Sequence, residues 1–205
     1  MMLALLIVGL PGALPASAAS QERDPALRQR LQAALAEPVS FADRYEAEVW
    51  LTDMAGRLAR KVPDPDERIE ILEAVHREAT RAQLPPEMVL AVIDVESGFQ
   101  RYAVSRANAQ GLMQIMRFWL KELDMPGHAL LDIQDNIRMG CTILRYYYDL
   151  EDGNWNRALA RYNGSVGRRE YPDLVVGRWT RNWNGADDLG IAARRRDASP
   201  LGGKR

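Results

Sequence analysis

Glu96 is the residue whose surroundings most favour chemistry. From Met88 to Val95 every residue except Asp94 is apolar, so a helix here is greasy on all sides and belongs at the centre of a small domain. Glu96 ends that run, and Gly98 is its natural C-terminal stop. A carboxyl group there meets poor solvation and the negative end of the helix dipole, and both disfavour its charged form. The expectation is a raised pKa and a general acid near neutral pH. Asp94, two residues earlier, lies about 200° around a helix axis and faces away. Cys141 is the only cysteine, which excludes an intrachain disulfide and a cysteine metal cluster; it reads as a small buried hydrophobe. His76 and His128 are the only histidines and lack metal-binding spacing. No metal and no cofactor are expected, and His76 reads as a structural histidine on or beside an apolar stripe.

The elements that position these residues follow from helical spacing, with no useful period-2 alternation. Phe41, Tyr45, Val49, Met54 and Leu58 mark a helix before the break at Pro63. Asp64-Pro65-Asp66-Glu67 reads as an N-cap, a proline at the first helical position and a capping-box Glu. Ile69, Leu72, Val75 or His76, and Ala79 are then the expected buried face. Ile133, Ile137, Cys141, Leu144 and Tyr148 give another stripe that stops near Gly153. Asn154 caps a short helix through Trp155, Leu159 and Tyr162, ended by Gly164. The triplet Tyr146-Tyr147-Tyr148 reads as mixed core and surface.

The 205 residues carry 47% apolar and 27% charged side chains, enough for a sizeable core. A formal net charge of -1 argues against a dedicated nucleic-acid binder. Leu3 to Leu10 followed by Pro11, Pro15 and Ala16-Ser17-Ala18-Ala19 reads as a signal peptide over 1–19, although no basic residue precedes it. With no cysteine at the cleavage region, no lipid anchor and no stable membrane anchor are expected, and the location implied is periplasmic. Residues 20–63 form an N-terminal helical segment, 64–184 the compact domain, and 185–205 a flexible basic tail with Arg194-Arg195-Arg196. The fold class expected is all-α.

Several blocks occur together and in order between about Leu84 and Trp183. They are Glu96-Ser97-Gly98-Phe99, Ala103-Val104-Ser105, Ala109 to Met116 (AQGLMQIM), Asn136-Ile137-Arg138-Met139-Gly140, and Ala160-Arg161-Tyr162-Asn163-Gly164. Together they resemble the lysozyme-like lytic transglycosylases of the soluble (SLT) type. The resemblance implies a lysozyme-like catalytic domain acting on peptidoglycan glycan strands, with Glu96 as the single acid/base. It implies that Ser105, Gln114 and Met116 line the sugar cleft, and that Tyr162 belongs to the binding site, its hydroxyl holding the catalytic carboxyl. Ser97, Gly111 and Asn163 would support the site, Gly111 by letting backbone approach the sugar and Gly140 by letting a helix approach. Met113 reads as core more readily than cleft.

The sequence departs from the family pattern at Asn108, where glycine is common, at Arg117-Phe118-Trp119, and at Gly164-Ser165. Asn tolerates a left-handed backbone, so the first change can be absorbed. Ordinary glycosidases use two carboxylates. Asp124, Asp132 and Asp135 are partners for Glu96 only if the fold brings them in. A lone acid suits a reaction in which the muramic acid C6 hydroxyl attacks C1 and leaves a 1,6-anhydro end. A goose-type lysozyme using water, and a non-catalytic glycan-binding module, are the alternatives.

Overall fold

The computed structural model describes residues 24–36 and 44–183, with side chains of the second stretch described from residue 50 onward. The expected signal peptide and basic tail, and Phe41, Tyr45 and Val49 of the first stripe, lie outside these described parts. The order of elements is α1 (Pro25–Ala36), α2 (Arg44–Leu58), α3 (Pro65–Arg81), α4 (Pro86–Glu96), β1 (Ala109–Gln110), β2 (Ile115–Met116), α5 (Phe118–Glu122), a 3-10 turn (Ala129–Leu131), α6 (Ile133–Leu150), α7 (Trp155–Asn163), α8 (Glu170–Arg178) and a π-turn (Trp179–Trp183). Among the described residues the fold is all-α apart from one antiparallel ribbon with Ala109 opposite Met116 and Gln110 opposite Ile115. Strands of two residues are too short to leave an alternating pattern in the sequence.

Local chemistry explains most boundaries. The Asp64 carboxylate accepts from the Asp66 and Glu67 N–H groups, and Pro65 occupies the first helical position of α3. Asn154 accepts from the Arg157 N–H at 3.1 Å and starts α7. Gly164 ends that helix in the left-handed region, at φ 75°. Pro172 falls in the first turn of α8, where its missing N–H costs no helical bond.

The core sits where α4 is enclosed. Met88 to Asp94 are all buried, as its composition requires. Helix α4 packs on α3, α8 and the π-turn, while α6 packs on α1, α3 and α7, and α8 on α7. Helix α1 buries Leu27, Leu31 and Ala34. Polar contacts tie it to the domain as well: Arg28 Nε donates to the Glu122 carbonyl at 2.8 Å, Arg30 pairs with Asp149 at 2.7 Å, and Tyr146 bonds Asp24. Met54 and Leu58 are buried as expected in α2.

Two details of the expected stripes shift. Ile69 is 39% exposed; the buried face of α3 is instead Ile71, Leu72, Ala74, Val75, Glu78 and Ala79. An apolar residue one turn from an exposed N-terminus can remain outside the packed face at little cost. In α6, Ile133, Ile137, Cys141 and Leu144 are buried, but the stripe continues through Tyr147 and leaves Tyr148 partly exposed against Trp155 at 4.3 Å. The His76 ring packs tilted against Trp50, with centroids 5.2 Å apart, in keeping with a structural histidine. Cys141 is fully buried, which pushes its thiol far above the ordinary range.

Candidate active site

Glu96 is the last residue of α4, and the chain turns away through Gly98 and Phe99, both at positive φ (58° and 71°). Ser97 secures this turn. Its Oγ donates to the Leu112 carbonyl at 2.8 Å and accepts from the Phe99 N–H at 3.2 Å. The end of α4 is thereby joined to the loop that carries the ribbon.

That loop is held from several sides. The Gly111 N–H donates to the Ala103 carbonyl at 2.9 Å, and Gln114 Nε2 donates to the Gly111 and Ala103 carbonyls at 2.9 and 3.3 Å. From α6, Asn136 Nδ2 donates to the Gln110 and Leu130 carbonyls at 2.9 and 2.8 Å, while its Oδ1 accepts from the Met113 N–H at 2.8 Å. From α7, the Tyr162 hydroxyl donates to the Met113 carbonyl at 2.8 Å. Both backbone groups of Met113 are thus clamped by side chains from different helices. Asn108 sits at φ 62°, the left-handed conformation that asparagine tolerates where glycine is common.

The carboxyl group itself has one strong partner. Tyr171, in the first turn of α8, donates its hydroxyl to Glu96 Oε1 at 2.5 Å. Burial pushes the Glu96 pKa up to about 7 from 4.5, and the Tyr171 hydrogen bond pulls in the opposite direction without cancelling it. Burial and the nearby Glu96 in turn push the Tyr171 and Tyr162 phenols well above their ordinary value. Desolvation is thus the principal cause of the raised value. Asp94 does not share the site. Its carboxylate is bonded to Lys61 and Trp183, as the helical-wheel argument requires. Asp132 is occupied at the start of α6, accepting from the Asp135 N–H, while burial and Asp132 raise the Asp135 pKa.

A family model for the transglycosylase SLT domain matches residues 73–173. The chain contains an SLT domain. Its relatives include the membrane-bound lytic murein transglycosylase C of Yersinia pestis (strain Pestoides F) and of Yersinia pseudotuberculosis serotype O:1b (strain IP 31758). Each is 32% identical over 112 residues, covering 47% of this chain and 31% of the relative. The chain thus matches about a third of the length of these curated relatives. Among solved structures, a complex of the 70-kDa soluble lytic transglycosylase with bulgecin A is similar at 28% identity and a TM-score of 0.42. That similarity covers 64% of this chain and 23% of the other.

Within the SLT domain the expected site residues divide into two groups. Ser97, Gly111, Gln114 and Tyr162 are joined through the 111–114 loop, and Glu96 adjoins it as the chain neighbour of Ser97. Ser105 stays within its own turn, its Oγ accepting from the Ala109 N–H at 3.0 Å. Met116 lies buried in β2, Asn163 is buried at the end of α7, and Met113 is fully buried as a core residue.

Three expected roles are corrected. The Tyr162 hydroxyl holds the Met113 carbonyl, and it is Tyr171 that holds the carboxyl. At Gly111, φ is 79° and a β-carbon would overlap Asn136 and the Leu130 carbonyl, so the close approach there is protein against protein. At Gly140 the neighbour is the Met113 side chain, not a helix. Tyr171 and Asn136 are the functional residues that sequence reasoning missed. Asn136 opens the Asn136-Ile137-Arg138-Met139-Gly140 block, whose pattern alone assigns it no role. Tyr171 lies 75 residues from Glu96, and no local spacing points from one to the other.

Proposed function

We propose that the SLT domain cleaves the MurNAc-β-1,4-GlcNAc bond of peptidoglycan without water, leaving 1,6-anhydromuramic acid ends. The observation that carries this reading is a carboxyl at the end of α4 that accepts a hydrogen bond from the Tyr171 phenol at 2.5 Å and whose pKa burial raises to about 7. The chain's similarity to lytic murein transglycosylases supports the same activity.

The chemistry needs one acid used twice. Glu96 gives its proton to the glycosidic oxygen as the C1–O4 bond breaks, and the N-acetyl group of the muramic acid stabilises the cation developing at C1. The resulting Glu96 carboxylate, stabilised by the Tyr171 hydroxyl, takes the proton from the C6 hydroxyl as O6 bonds to C1. Glu96 ends the cycle protonated, and no water is consumed. A group with a pKa of about 7 is suited to both transfers, because neither protonation state is strongly disfavoured at neutral pH. In this reading Ser105, Gln114 and Met116 line the glycan cleft, and Tyr162, Ser97, Gly111 and Asn163 hold its floor.

The setting would be the periplasm, reached through the leader read at residues 1–19. Among the described residues no helix is long and apolar enough to cross a membrane. The deciding experiment is digestion of sacculi in ¹⁸O-labelled water followed by mass spectrometry of the muropeptides. The expected product carries no label at the new muramic acid ends and resists borohydride. Labelled, reducible ends would assign the domain to hydrolysis with Glu96 still the acid; binding without solubilisation would remove catalysis altogether.

A further inference from the structure

Asp94 is 6% exposed and belongs to the same helix as Glu96, but its surroundings come from outside residues 73–173. Lys61 Nζ, in the turn after α2, donates to Oδ1 at 2.8 Å. Trp183 Nε1 and Asn182 Nδ2, in the π-turn, donate to Oδ2 at 3.2 and 3.3 Å. The π-turn continues α8 without a break, and α8 carries Tyr171. The Trp183 ring also packs at 5.4 Å on Phe99, three residues beyond Glu96. One buried carboxylate therefore ties both flanks of the domain to the helix that ends in the acid.

We propose that Asp94 is a positioning residue: by fixing the π-turn against α4 it seats α8, and so sets the Tyr171–Glu96 hydrogen bond. The segments before and after the matched domain then belong to the catalytic unit. For the activity, this inference rests on the proposed role of Glu96; for the geometry it does not. The groups that face Glu96 are Tyr171 from α8 and Tyr162 from α7, while Lys61, Asn182 and Trp183 face Asp94. Two opposite effects can thus be told apart by sign. If Asp94 acts by seating α8, its loss weakens the phenol's hold on the Glu96 carboxylate, and the Glu96 pKa rises. If Asp94 acts only as a nearby negative charge, its neutralisation lowers that pKa.

The test uses the full chain labelled with ¹³C at the glutamate carboxyls, with the Glu96 signal assigned by its absence in Glu96→Gln. Titration over roughly pH 4 to 9 follows wild type, Tyr171→Phe, Asp94→Asn and Trp183→Phe. We expect Tyr171→Phe to raise the Glu96 midpoint by about half a unit to one unit. Asp94→Asn should move it in the same direction, and Trp183→Phe, which removes one donor and keeps an aromatic ring, should move it less. A fixed or lowered midpoint in folded Asp94→Asn overturns the proposal. If that variant does not fold, Trp183→Phe decides by the same rule. Because the readout is a titration, it stands even if wild type releases no anhydro product, an outcome that would remove only the proposed activity.

Discussion

Glu78 is buried and Glu96 partly buried, on helices that are consecutive in the chain, and their pKa values are displaced in opposite directions. Glu78 is 1% exposed in α3 and is surrounded by guanidinium groups: Arg138 Nη2 at 2.9 Å, Arg81 Nε at 2.7 Å and Arg77 Nε at 3.3 Å. Burial alone would raise its pKa, but the hydrogen bonds and charges of Arg138 and Arg81 outweigh that and hold it low. Glu96 receives one phenol, and burial wins. Desolvation is common to both, so the partners decide what each carboxyl can do. At neutral pH one is a charged joint between α3 and α6, while the other can both hold and give away a proton.

The largest expected effect breaks the chemical side of this comparison. Glu96→Gln retains shape and removes the transferable proton, so solubilisation of sacculi should fall by at least about 10³-fold, since one group serves both proton transfers. Folding should survive, and the pH dependence has a definite sign. Glu96 has a folded pKa of about 7, above the 4.5 of an ordinary glutamate. Its contribution to stability is full below the unfolded value and is lost as pH rises through 7. Thermal melts should therefore show the variant gaining on wild type as pH rises through 7. A lytic rate near wild type would sink the assignment of Glu96.

Glu78→Gln breaks the structural side. It leaves the neighbouring guanidinium groups without their carboxylate, and removing one partner of a buried pair costs roughly 3–5 kcal/mol. Urea denaturation should show that loss at neutral pH. Because the folded pKa of Glu78 is lowered, its contribution is present above the unfolded value of 4.5 and disappears as pH falls through the folded value. The stability gap between variant and wild type should accordingly close in acid. The specific activity of the folded fraction should be retained, and a selective loss of activity would mean that the cluster reaches the site.

Tyr171→Phe sharpens the contrast by leaving Glu96 with burial alone. The hydroxyl favours the carboxylate form, so its removal raises the pKa, and the acid stays protonated to higher pH. The alkaline limb of the pH–rate profile should shift upward while the rate at neutral pH falls about tenfold, through weaker stabilisation of the carboxylate after the first proton transfer. An unmoved limb would detach Tyr171 from the chemistry.

What was legible in the sequence depended on the range of the interaction. The Asp64 and Asn154 caps, the Gly164 stop and the apolar sheath of α4 are set by neighbours within a few residues, and they appear where expected. The direction of the Glu96 shift was also legible, because an all-apolar helix must be buried and burial raises a carboxyl pKa. Glu78 was not read as buried, since its neutralising Arg138 lies 60 residues away on another helix. Tyr171 was missed for the same reason. Helix α8 begins with Glu-Tyr-Pro and has no apolar stripe long enough to mark it. Recognising the Tyr-Asn block supplied a tyrosine near the acid, but choosing between Tyr162 and Tyr171 required knowing which carbonyl or carboxylate each hydroxyl meets.

The smallest expected effect tests that choice. Tyr162→Phe removes a hydroxyl bonded to the Met113 carbonyl at 2.8 Å, while the ring still fills its buried place. The carbonyl loses its partner in a buried setting, a cost of about 1–3 kcal/mol, and the 111–114 loop should loosen locally. Hydrogen exchange at the Met113 and Gln114 amides would register this loosening. Since Tyr171 still holds Glu96, the alkaline limb should remain where it is in wild type, with a rate loss smaller than that of Tyr171→Phe. A limb displaced as far as in Tyr171→Phe, with unchanged exchange in the loop, would show that Tyr162 acts on the carboxyl in the working enzyme. The two phenols would then share the task that their hydrogen bonds divide here.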